Sequence, residues 1–435
     1  MARGAGVFEK RQCDLILSRI RTGGLTVTYW DGDTRQYGPQ SWLHVHLKTR
    51  AVVRRMRRHI DLAVGEGYMN GEIEVQGDLA EIGRLALRNR VELSPWAARL
   101  ARRASPRRDR KSRQTKNVQH HYDLGNDFYA LWLDRSMSYS CAYFQRPSDS
   151  LEAAQRQKVE HILRKLDLRP GMTLLDIGSG WGELIIAAAR RYGARAHGIT
   201  LSQEQLAASR RRIEAENLAS MVSVDLCHYQ DLPADARFDR VVSVGMYEHV
   251  GAGNYAAYMA AVDRALKPEG LSLLHTITQT VERPASPWID RYIFPGGHLP
   301  TLEGILALLP GRDFHAVDFE SLRRHYARTL DEWSARFEAS LQRVEKMHGE
   351  RFARMWRLYL RGSAAAFRYG KLDLAQILWT KGLTDSTPMT REYIYRRHAS
   401  AQALSAGHPA VRAPSPGGFL GVPEVGSHVP EVGSQ

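Results

Sequence analysis

The chain of 435 residues is long enough for a large core and a second domain. Its hydrophobic fraction of 43% and charged fraction of 25% are those of an ordinary globular protein. No apolar run approaches the roughly 20 residues that a membrane-spanning helix needs, so any membrane contact is expected to be peripheral.

The net charge of +14 makes a polyanion the expected partner, and both nucleic acid and an anionic membrane surface qualify. Cys13, Cys141 and Cys227 are odd in number and far apart, and residues 1–10 show no signal peptide. We therefore expect reduced thiols in a cytoplasmic protein.

Residues 1–98 predict a small α+β domain. Residues 25–30 alternate β-forming side chains before Asp31 and Gly32, which is typical of a hairpin. The other predicted elements are helices at 8–21, 51–64 and 79–90 and a short strand at 72–75. No catalytic constellation is recognisable here, so the domain is interpreted as a packing, lipid-binding or dimerisation module.

A basic linker is predicted at residues 99–117, where Asp109 is the one acid among many arginines and lysines. It is either a solvated hinge or a patch for anionic lipid. Because no aromatic residues are interleaved, it gives no sign of stacking on single-stranded nucleic acid. Two aromatic segments follow, at 120–129 and 139–144, and each predicts either the wall of a pocket or a buried loop.

A short apolar run at 172–175 predicts a buried parallel strand, which leads through Asp176 into the glycines Gly178, Gly180 and Gly182 and then a helix at 184–192. This order predicts a strand, turn and helix that bind a nucleotide. The spacing departs from G-x-G-x-x-G, so a pyrophosphate cradle is not expected. A ligand without phosphates, S-adenosylmethionine, fits better, whereas an isolated motif of this kind could be only a tight turn.

Further strands alternate with helices, which indicates an α/β domain over residues 118–395. We predict a Rossmann-like fold with a mostly parallel seven-stranded sheet, whose ligands bind at the carboxyl ends of the strands. The remaining predicted strands lie at 194–200, 221–227, 238–246, 270–277, 314–319 and 375–379, and two late helices at 330–347 and 351–369. The tail at 396–435 is rich in Gly, Pro and Ser towards its end and is predicted to be disordered.

Two polar residues follow or end neighbouring strands of this sheet. Glu248 comes just after the fourth strand and His275 lies near the end of the fifth, so both are expected at one rim. A lone histidine in an apolar strand is more often a core residue. The long proline-rich and aromatic segment at 282–310 is interpreted as the wall of an apolar substrate channel.

Taken together, these segments resemble the cyclopropane fatty acid synthases, which depend on S-adenosylmethionine. The resemblance covers about residues 120–382 and rests on motifs in the family's order: HYDLGNDFY, YSCAYF, LLDIGSGWG, GITLSQEQ, SVGMYEHVG, LLHTI, YIFPGGHLP and HYARTLDEW. The N-terminal unit, with GEIEVQGDL, is similar to the extra domain of the bacterial phospholipid enzymes.

The resemblance implies a set of cofactor residues and a bicarbonate site, and no metal site. The cofactor set is Tyr139, Ser140, Asp176, Gly178, Ser179, Gly180, Gly182, Thr200, Gln205, Cys227 and His228. The bicarbonate set is Cys141, Glu248, His275, Tyr326 and the backbone of Ile277, and Tyr122 corresponds to a pocket tyrosine near the reacting carbon. Two departures stand out, because Ser179 replaces a common cysteine and His228 replaces an acidic residue that faces the adenine.

The expected function is therefore methyl transfer to a cis double bond of an unsaturated phospholipid acyl chain, with bicarbonate-assisted closure of a cyclopropane ring. The expected location is the inner face of the membrane, held peripherally by an anionic surface, and a homodimer is left open. One alternative is the same fold forming a methyl or methylene branch. The other is a nucleic-acid-binding protein with a degenerate methyltransferase domain, which the intact site residues disfavour.

Overall fold

The computed structural model describes residues 6–89, 111–122 and 124–395. The predicted disordered tail at 396–435 and most of the basic linker lie outside these residues. Within them, the chain forms an N-terminal α+β unit at residues 6–89 and a larger α/β unit that begins at residue 111.

In the described part of the N-terminal unit, four strands form a mixed sheet in the order β2-β1-β3-β4. Its elements are α1 (Val7–Leu17), β1 (Leu25–Thr28), β2 (Thr34–Tyr37), β3 (Leu43–Leu47), α2 (Arg50–Met56), α3 (Ile60–Met69), β4 (Ile73–Gln76) and α4 (Ala80–Arg88). The predicted hairpin is confirmed, since β1 and β2 pair antiparallel. Val27 and Leu43, on the neighbouring strands β1 and β3, both contribute to the core of the unit.

Two predictions in this half of the chain are wrong. The helix expected at 51–64 is two helices, because His59 adopts an extended conformation (φ −150°, ψ 99°) that interrupts the helical backbone. The linker prediction fails at its end, where residues 111–117 begin helix α5 (Lys111–Tyr122). Lys111 pairs with Asp231 and Gln114 is buried, so contacts distant in sequence order this stretch.

The second unit is built on a seven-stranded sheet within the described residues, in the order β10-β11-β9-β8-β5-β6-β7. The strands are β5 (Thr173–Ile177), β6 (Arg195–Thr200), β7 (Val222–Leu226), β8 (Phe238–Val244), β9 (Leu266–Gln279), β10 (Phe314–Ser321) and β11 (Leu372–Lys381). The five strands from β5 to β9 pair in parallel, and β10 and β11 are antiparallel. The predicted fold class is thus confirmed.

Helices cover both faces of this sheet, as expected when parallel strands are buried on both sides. They are α6 (Asn126–Ala130), α7 (Leu151–Lys165), α8 (Glu183–Tyr192), α9 (Gln203–Ala215), α10 (Tyr255–Ala265), α11 (Pro287–Tyr292), α12 (Leu302–Leu306), α13 (Arg323–Ala339), α14 (Leu341–His348), α15 (Glu350–Tyr369) and α16 (Glu392–Tyr395). The helix predicted at 330–347 is therefore two helices, α13 and α14, which meet at Ser340.

The N-terminal unit packs against α11 and α15 of the larger unit. The buried guanidinium of Arg354 donates to the backbone carbonyls of Tyr68 (2.5 Å) and Ile73 (2.9 Å). The carboxylate of Asp61 accepts from the Ser286 hydroxyl (2.7 Å) and from the backbone N–H of Trp288 (3.0 Å). These bonds satisfy buried polar groups of both units at the junction. Among the described helices, none combines the length and apolar character needed to cross a bilayer.

Candidate active site

The glycine loop lies between β5 and α8, at the carboxyl edge of the sheet. Gly178 has φ 90°, and a Cβ added there would lie 2.8 Å from the Met246 Cβ. Gly182 has φ 85° and caps the N-terminus of α8. Both positions combine a left-handed backbone with a close neighbour, so a larger residue would be strained there. Glycine therefore lets the loop pack closely against its neighbours and leaves room for a ligand.

Above this loop is a cavity of ≈ 130 Å³, lined by most of the predicted cofactor residues. They are Tyr139, Ser140, Asp176, Gly178, Ser179, Gly180, Thr200, Gln205, Cys227 and His228. The structure therefore brings together residues from four loops that the sequence places far apart. Gly182 is the exception, because it shapes the start of α8 without lining the cavity.

Thr200 and Gln205 form one hydrogen-bonded unit in this cavity. The Thr200 hydroxyl donates to the Gln205 side-chain oxygen (2.8 Å) and accepts from the Ser202 N–H (3.2 Å). Gln205 stands in the first turn of α9. Since its oxygen is engaged, the amide NH₂ group is the part that can donate to a ligand hydroxyl.

His228 is held by partners that sequence analysis did not select. Its Nε2 lies 2.8 Å from the Gln114 side-chain oxygen, and its Nδ1 accepts from the Gln230 N–H (3.2 Å). The Gln114 amide is oriented by its second bond, to the Val250 carbonyl (2.8 Å). Because both ring nitrogens of His228 are engaged, its imidazole offers no free acceptor to a ligand in this cavity.

Asp176 is the next-to-last residue of β5, and its carboxyl group is buried and lines the same cavity. Its Oδ1 has no hydrogen-bond partner among the described residues. Burial raises its pKa to about 7, and the nearby Lys158 ammonium opposes that rise. Lys158 also lines the cavity and donates to the Ser140 hydroxyl (3.0 Å). No sequence pattern marks Lys158, since a lysine within an amphipathic helix usually faces solvent.

A second cavity of ≈ 750 Å³ adjoins the first and is lined mostly by apolar side chains. The predicted bicarbonate residues Cys141, Glu248, His275, Ile277 and Tyr326 all line it. Tyr122 lies in α5, but its side chain is outside the described part of the chain. The proline-rich segment contributes residues 283–286 and 297–299 to the wall, and the N-terminal unit contributes the far end.

Glu248 is the buried acid of this second cavity. Its Oε1 accepts from the Ile277 N–H (2.7 Å), while Oε2 has no hydrogen-bond partner among the described residues. Burial raises the pKa of Glu248 to about 7, although the Ile277 N–H favours the ionised form. Glu248 can therefore gain or lose a proton near neutral pH. The Ile277 N–H, by contrast, is already engaged.

His275 lies inside β9, opposite Val244 of the parallel neighbour β8. The amide NH₂ of Gln376 donates to its Nδ1 (3.1 Å), which places the ring proton on Nε2. That Nε2 is buried and has no hydrogen-bond partner among the described residues. Burial, with the Lys158 and Lys165 charges, holds the pKa of His275 well below its ordinary value. The imidazole is thus a neutral donor.

Cys141 and Tyr326 line the same cavity, and together with Glu248 and His275 they are called the cluster below. The Cys141 thiol is buried and donates to the Ala142 carbonyl (3.2 Å), and burial raises its pKa, so it stays a thiol. The Tyr326 ring packs on Phe367, with ring centroids 4.6 Å apart. Tyr139, Ser140, Gly245 and His249 line both cavities, so the two share one wall.

A glycine-loop nucleotide pocket at the carboxyl edge of this sheet, joined to a buried acid, defines an S-adenosylmethionine-dependent methyltransferase. The chain belongs to the family described as mycolic acid cyclopropane synthetase, whose model matches residues 109–377. Residues 13–94 match a second family described only as a domain of unknown function. The family suggested by the sequence is therefore confirmed.

Relatives support this assignment over most of the chain. The probable fatty acid methyltransferase of Pseudomonas putida is 41% identical over 383 residues, 86% of this chain and 96% of that protein. The cyclopropane-fatty-acyl-phospholipid synthase of Escherichia coli K12 is 38% identical over 357 residues, 80% of this chain and 90% of that protein. The crystal structure of mycolic acid cyclopropane synthase CmaA1 with S-adenosylhomocysteine (SAH) matches with TM-score 0.59 and 36% identity, covering 61% of this chain and 98% of that one.

Proposed function

We propose that this methyltransferase adds a methyl group to a cis double bond of an unsaturated phospholipid acyl chain and closes it to a cyclopropane ring. The observation that supports this most is the apolar cavity of ≈ 750 Å³ that starts at Glu248 and His275. Ligand pockets of about 300–1,000 Å³ hold drug-sized ligands, and the surface of this cavity is mostly apolar. A long hydrocarbon chain suits it.

The apolar cavity extends from the cluster into the N-terminal unit. Leu330, Tyr359 and Phe367 wall the part next to the cluster, while Ile16 of α1 and Leu43 of β3 line the part inside the N-terminal unit. An acyl chain entering this space would bury its length while one internal carbon pair lies beside Glu248. The double bond can then be selected by its distance from the end of the cavity inside the N-terminal unit.

The chemistry requires positioning above all, because an alkene is a poor nucleophile and must lie in line with an electrophilic methyl group. The bound S-adenosylmethionine supplies that methyl group. Tyr139 and Ser140 form the shared wall and set the distance between the two cavities. Apolar walls exclude water from the positively charged chain that results, and the Tyr326 ring can stabilise that charge. Glu248, with its pKa near 7, can take part in the proton removal that closes the ring.

We also propose that the cluster holds bicarbonate. Two buried polar atoms without hydrogen-bond partners among the described residues, Glu248 Oε2 and His275 Nε2, fit a small polar ion. The neutral His275 can donate from Nε2, and a protonated Glu248 can donate as well. Because the Ile277 N–H already binds Glu248, these side chains would have to hold the ion. When bound, bicarbonate supplies a compact base.

Peripheral contact with an anionic inner membrane face is proposed for helix α1. Its outer side exposes Phe8 (58%) and Leu15 (69%) together with Arg11, and Arg19 is exposed just beyond the end of the helix. Its inner side contributes to the wall of the apolar cavity. Apolar and basic residues on one exposed face are typical of helices that lie at a lipid surface. This helix would lie between bilayer and cavity.

The membrane contact is tested by sedimentation with vesicles of anionic phospholipid. The double variant Phe8→Ser/Leu15→Ser should bind these vesicles several-fold more weakly than the native protein. Leu383→Ser, at another exposed apolar residue, is the matched control and should bind normally. Equal binding by all three proteins would rule out α1, and binding to duplex DNA that outcompetes vesicles would revive the nucleic-acid hypothesis.

The reaction is tested with vesicles of cis-unsaturated phospholipid and methyl-labelled S-adenosylmethionine, followed by proton NMR of the extracted lipid. High-field ring protons are the expected result. If the label is found in an open methyl or methylene branch, the proposed ring product is wrong and the proposed acyl substrate is retained. Absence of label from every unsaturated lipid offered would overturn the proposal.

A further inference from the structure

Helix α7 carries two buried lysines, Lys158 and Lys165, seven residues apart and so on similar sides of the helix. Lys165 forms ion pairs with Asp318 (3.0 Å) and Glu320 (2.6 Å). Lys158 has a different environment, because its hydrogen bond goes to the neutral Ser140 hydroxyl. Among the described residues, no carboxylate lies within 4.0 Å of the Lys158 ammonium.

A buried ammonium group with one neutral partner is costly, since it has lost its hydration and keeps two unused N–H donors. Burial accordingly lowers the pKa of Lys158, while the more distant carboxylates of Asp134 and Glu183 oppose that shift. Proteins normally pair such a charge. The missing anion is therefore expected from something that enters the cavity.

The same cavity holds a complementary group. Asp176 lines it with an oxygen that lacks a hydrogen-bond partner among the described residues. One wall thus presents a buried cation and a buried acid, each with unused hydrogen-bonding capacity. An α-amino acid carries one carboxylate and one ammonium group, which is the matching pair of charges.

We infer that Lys158 binds the carboxylate at the amino-acid end of S-adenosylmethionine, with Asp176 facing the ammonium group of the same end. Lys158 is then a cofactor-binding residue that neither motif spacing nor family resemblance selected. The inference rests on the cofactor of the enzyme and is independent of the lipid substrate and of bicarbonate.

A purely structural role for Lys158 would be to hold the segment that carries Ser140. That segment is already held by Gln155, whose side-chain NH₂ donates to the carbonyls of Ser138 (3.2 Å) and Ser140 (2.9 Å). A neutral hydrogen bond therefore suffices to anchor the loop. A buried positive charge at Lys158 is better explained by an anionic partner.

The test compares two ligands by calorimetry on the full-length protein. SAH has the amino-acid end, and 5′-methylthioadenosine keeps the adenosine and lacks that end. Lys158→Met should weaken SAH binding about tenfold to about a hundredfold, the usual range for losing a hydrogen bond to a charged group. Methylthioadenosine affinity should change by less than about twofold, which also shows that the variant is folded.

Lys165→Met is the matched control on the same helix. It should lower the thermal midpoint and affect both ligands equally, because Lys165 pairs with carboxylates of the protein itself. Equal losses for both ligands in Lys158→Met, or no loss for either, would overturn the inference.

A third arm needs no variant. The decarboxylated analogue of SAH should bind the native protein at least about tenfold more weakly than SAH itself. In Lys158→Met, where that variant folds, the two ligands should bind with nearly equal affinity. Equal affinity in the native protein would overturn the inference by itself.

Discussion

The two cavities differ in how they are assembled. The cofactor cavity of ≈ 130 Å³ is built by loops at the carboxyl edge of one sheet, with its walls drawn from residues 114–250. The apolar cavity of ≈ 750 Å³ takes its walls from residues 13–374 and from both units. Local order of strand, glycine loop and helix thus specifies the first, whereas packing between distant segments specifies the second.

The two cavities therefore suggest separate origins for cofactor specificity and substrate specificity. On the proposed assignment, the cofactor is recognised by buried polar groups, among them Asp176 and the hydrogen-bonded pair Thr200 and Gln205. On the proposed function, the acyl substrate is selected by the volume and length of the apolar cavity. A substitution should therefore disturb one function and leave the other nearly unchanged, unless it lies on the shared wall at Tyr139 and Ser140.

The largest expected effect comes from Glu248→Gln. Glutamine keeps the side-chain oxygen that accepts from the Ile277 N–H but cannot exchange a proton. Methyl transfer to lipid should fall at least about a hundredfold, the lower range for losing a proton-transfer group. SAH affinity, measured by calorimetry, should change by less than about twofold. A parallel loss of both would mean that the cavities are not separable.

A smaller effect is expected from filling the apolar cavity with Gly362→Leu. A Cβ at Gly362 meets no other atom within 4 Å, and this helical residue lines the cavity. Turnover of long-chain lipid should fall about tenfold, while SAH binding stays unchanged and helix α15 gains up to about 1 kcal/mol. Gly311→Leu, equally free of clashes but outside that wall, is the control and should keep full turnover. Undiminished activity of Gly362→Leu would place the acyl chain elsewhere.

The reciprocal perturbation is Thr200→Val, which removes hydrogen bonds to Gln205 and from Ser202. Each such bond is worth about 0.5–1.5 kcal/mol, so SAH should bind about threefold to tenfold more weakly. At saturating cofactor, the rate with long-chain lipid should be that of the native enzyme. A lowered rate under those conditions would show that the cofactor residues also position the substrate.

The smallest effect concerns stability and pH. The pKa of Glu248 is about 7 in the folded protein, above its ordinary value of 4.5, so the native state binds the extra proton between these pH values. Stability contributed by this group is present below about pH 4.5 and is lost as pH rises through 7. Glu248→Gln removes that loss. Its thermal midpoint should exceed that of the native protein by about 2–4 °C at pH 8 and by little at pH 4.5.

Sequence patterns predicted the parts of the molecule that depend on local order. The β5 strand, the glycine loop and α8 lie where apolar runs and glycine spacing placed them. Helix α5 was missed because its order comes from Gln114 and Lys111 binding distant residues, which composition cannot show. The break at His59 was missed because the sequence around it contains neither proline nor glycine to mark the end of a helix.

In the candidate site too, some features could be predicted from the sequence and others could not. Its residues could be named from motif resemblance, but their hydrogen-bonding states could not. The engaged N–H of Ile277, the engaged ring of His228 and the unpaired charge of Lys158 each depend on partners from other segments. Charge state in a buried site follows from the neighbours that folding supplies.

The cluster lies in the larger unit, whereas the far wall of its cavity lies in the N-terminal unit. This separation has an evolutionary consequence. On the proposed function, the residues around the methyl-transfer site and those that set the depth of the acyl cavity lie in separate stretches of the chain. Selection on membrane composition can therefore act on residues 13–94 while the residues around Glu248 stay under constraint from the reaction. Exchanging N-terminal units between relatives would be a direct way to change lipid preference without rebuilding the reaction centre.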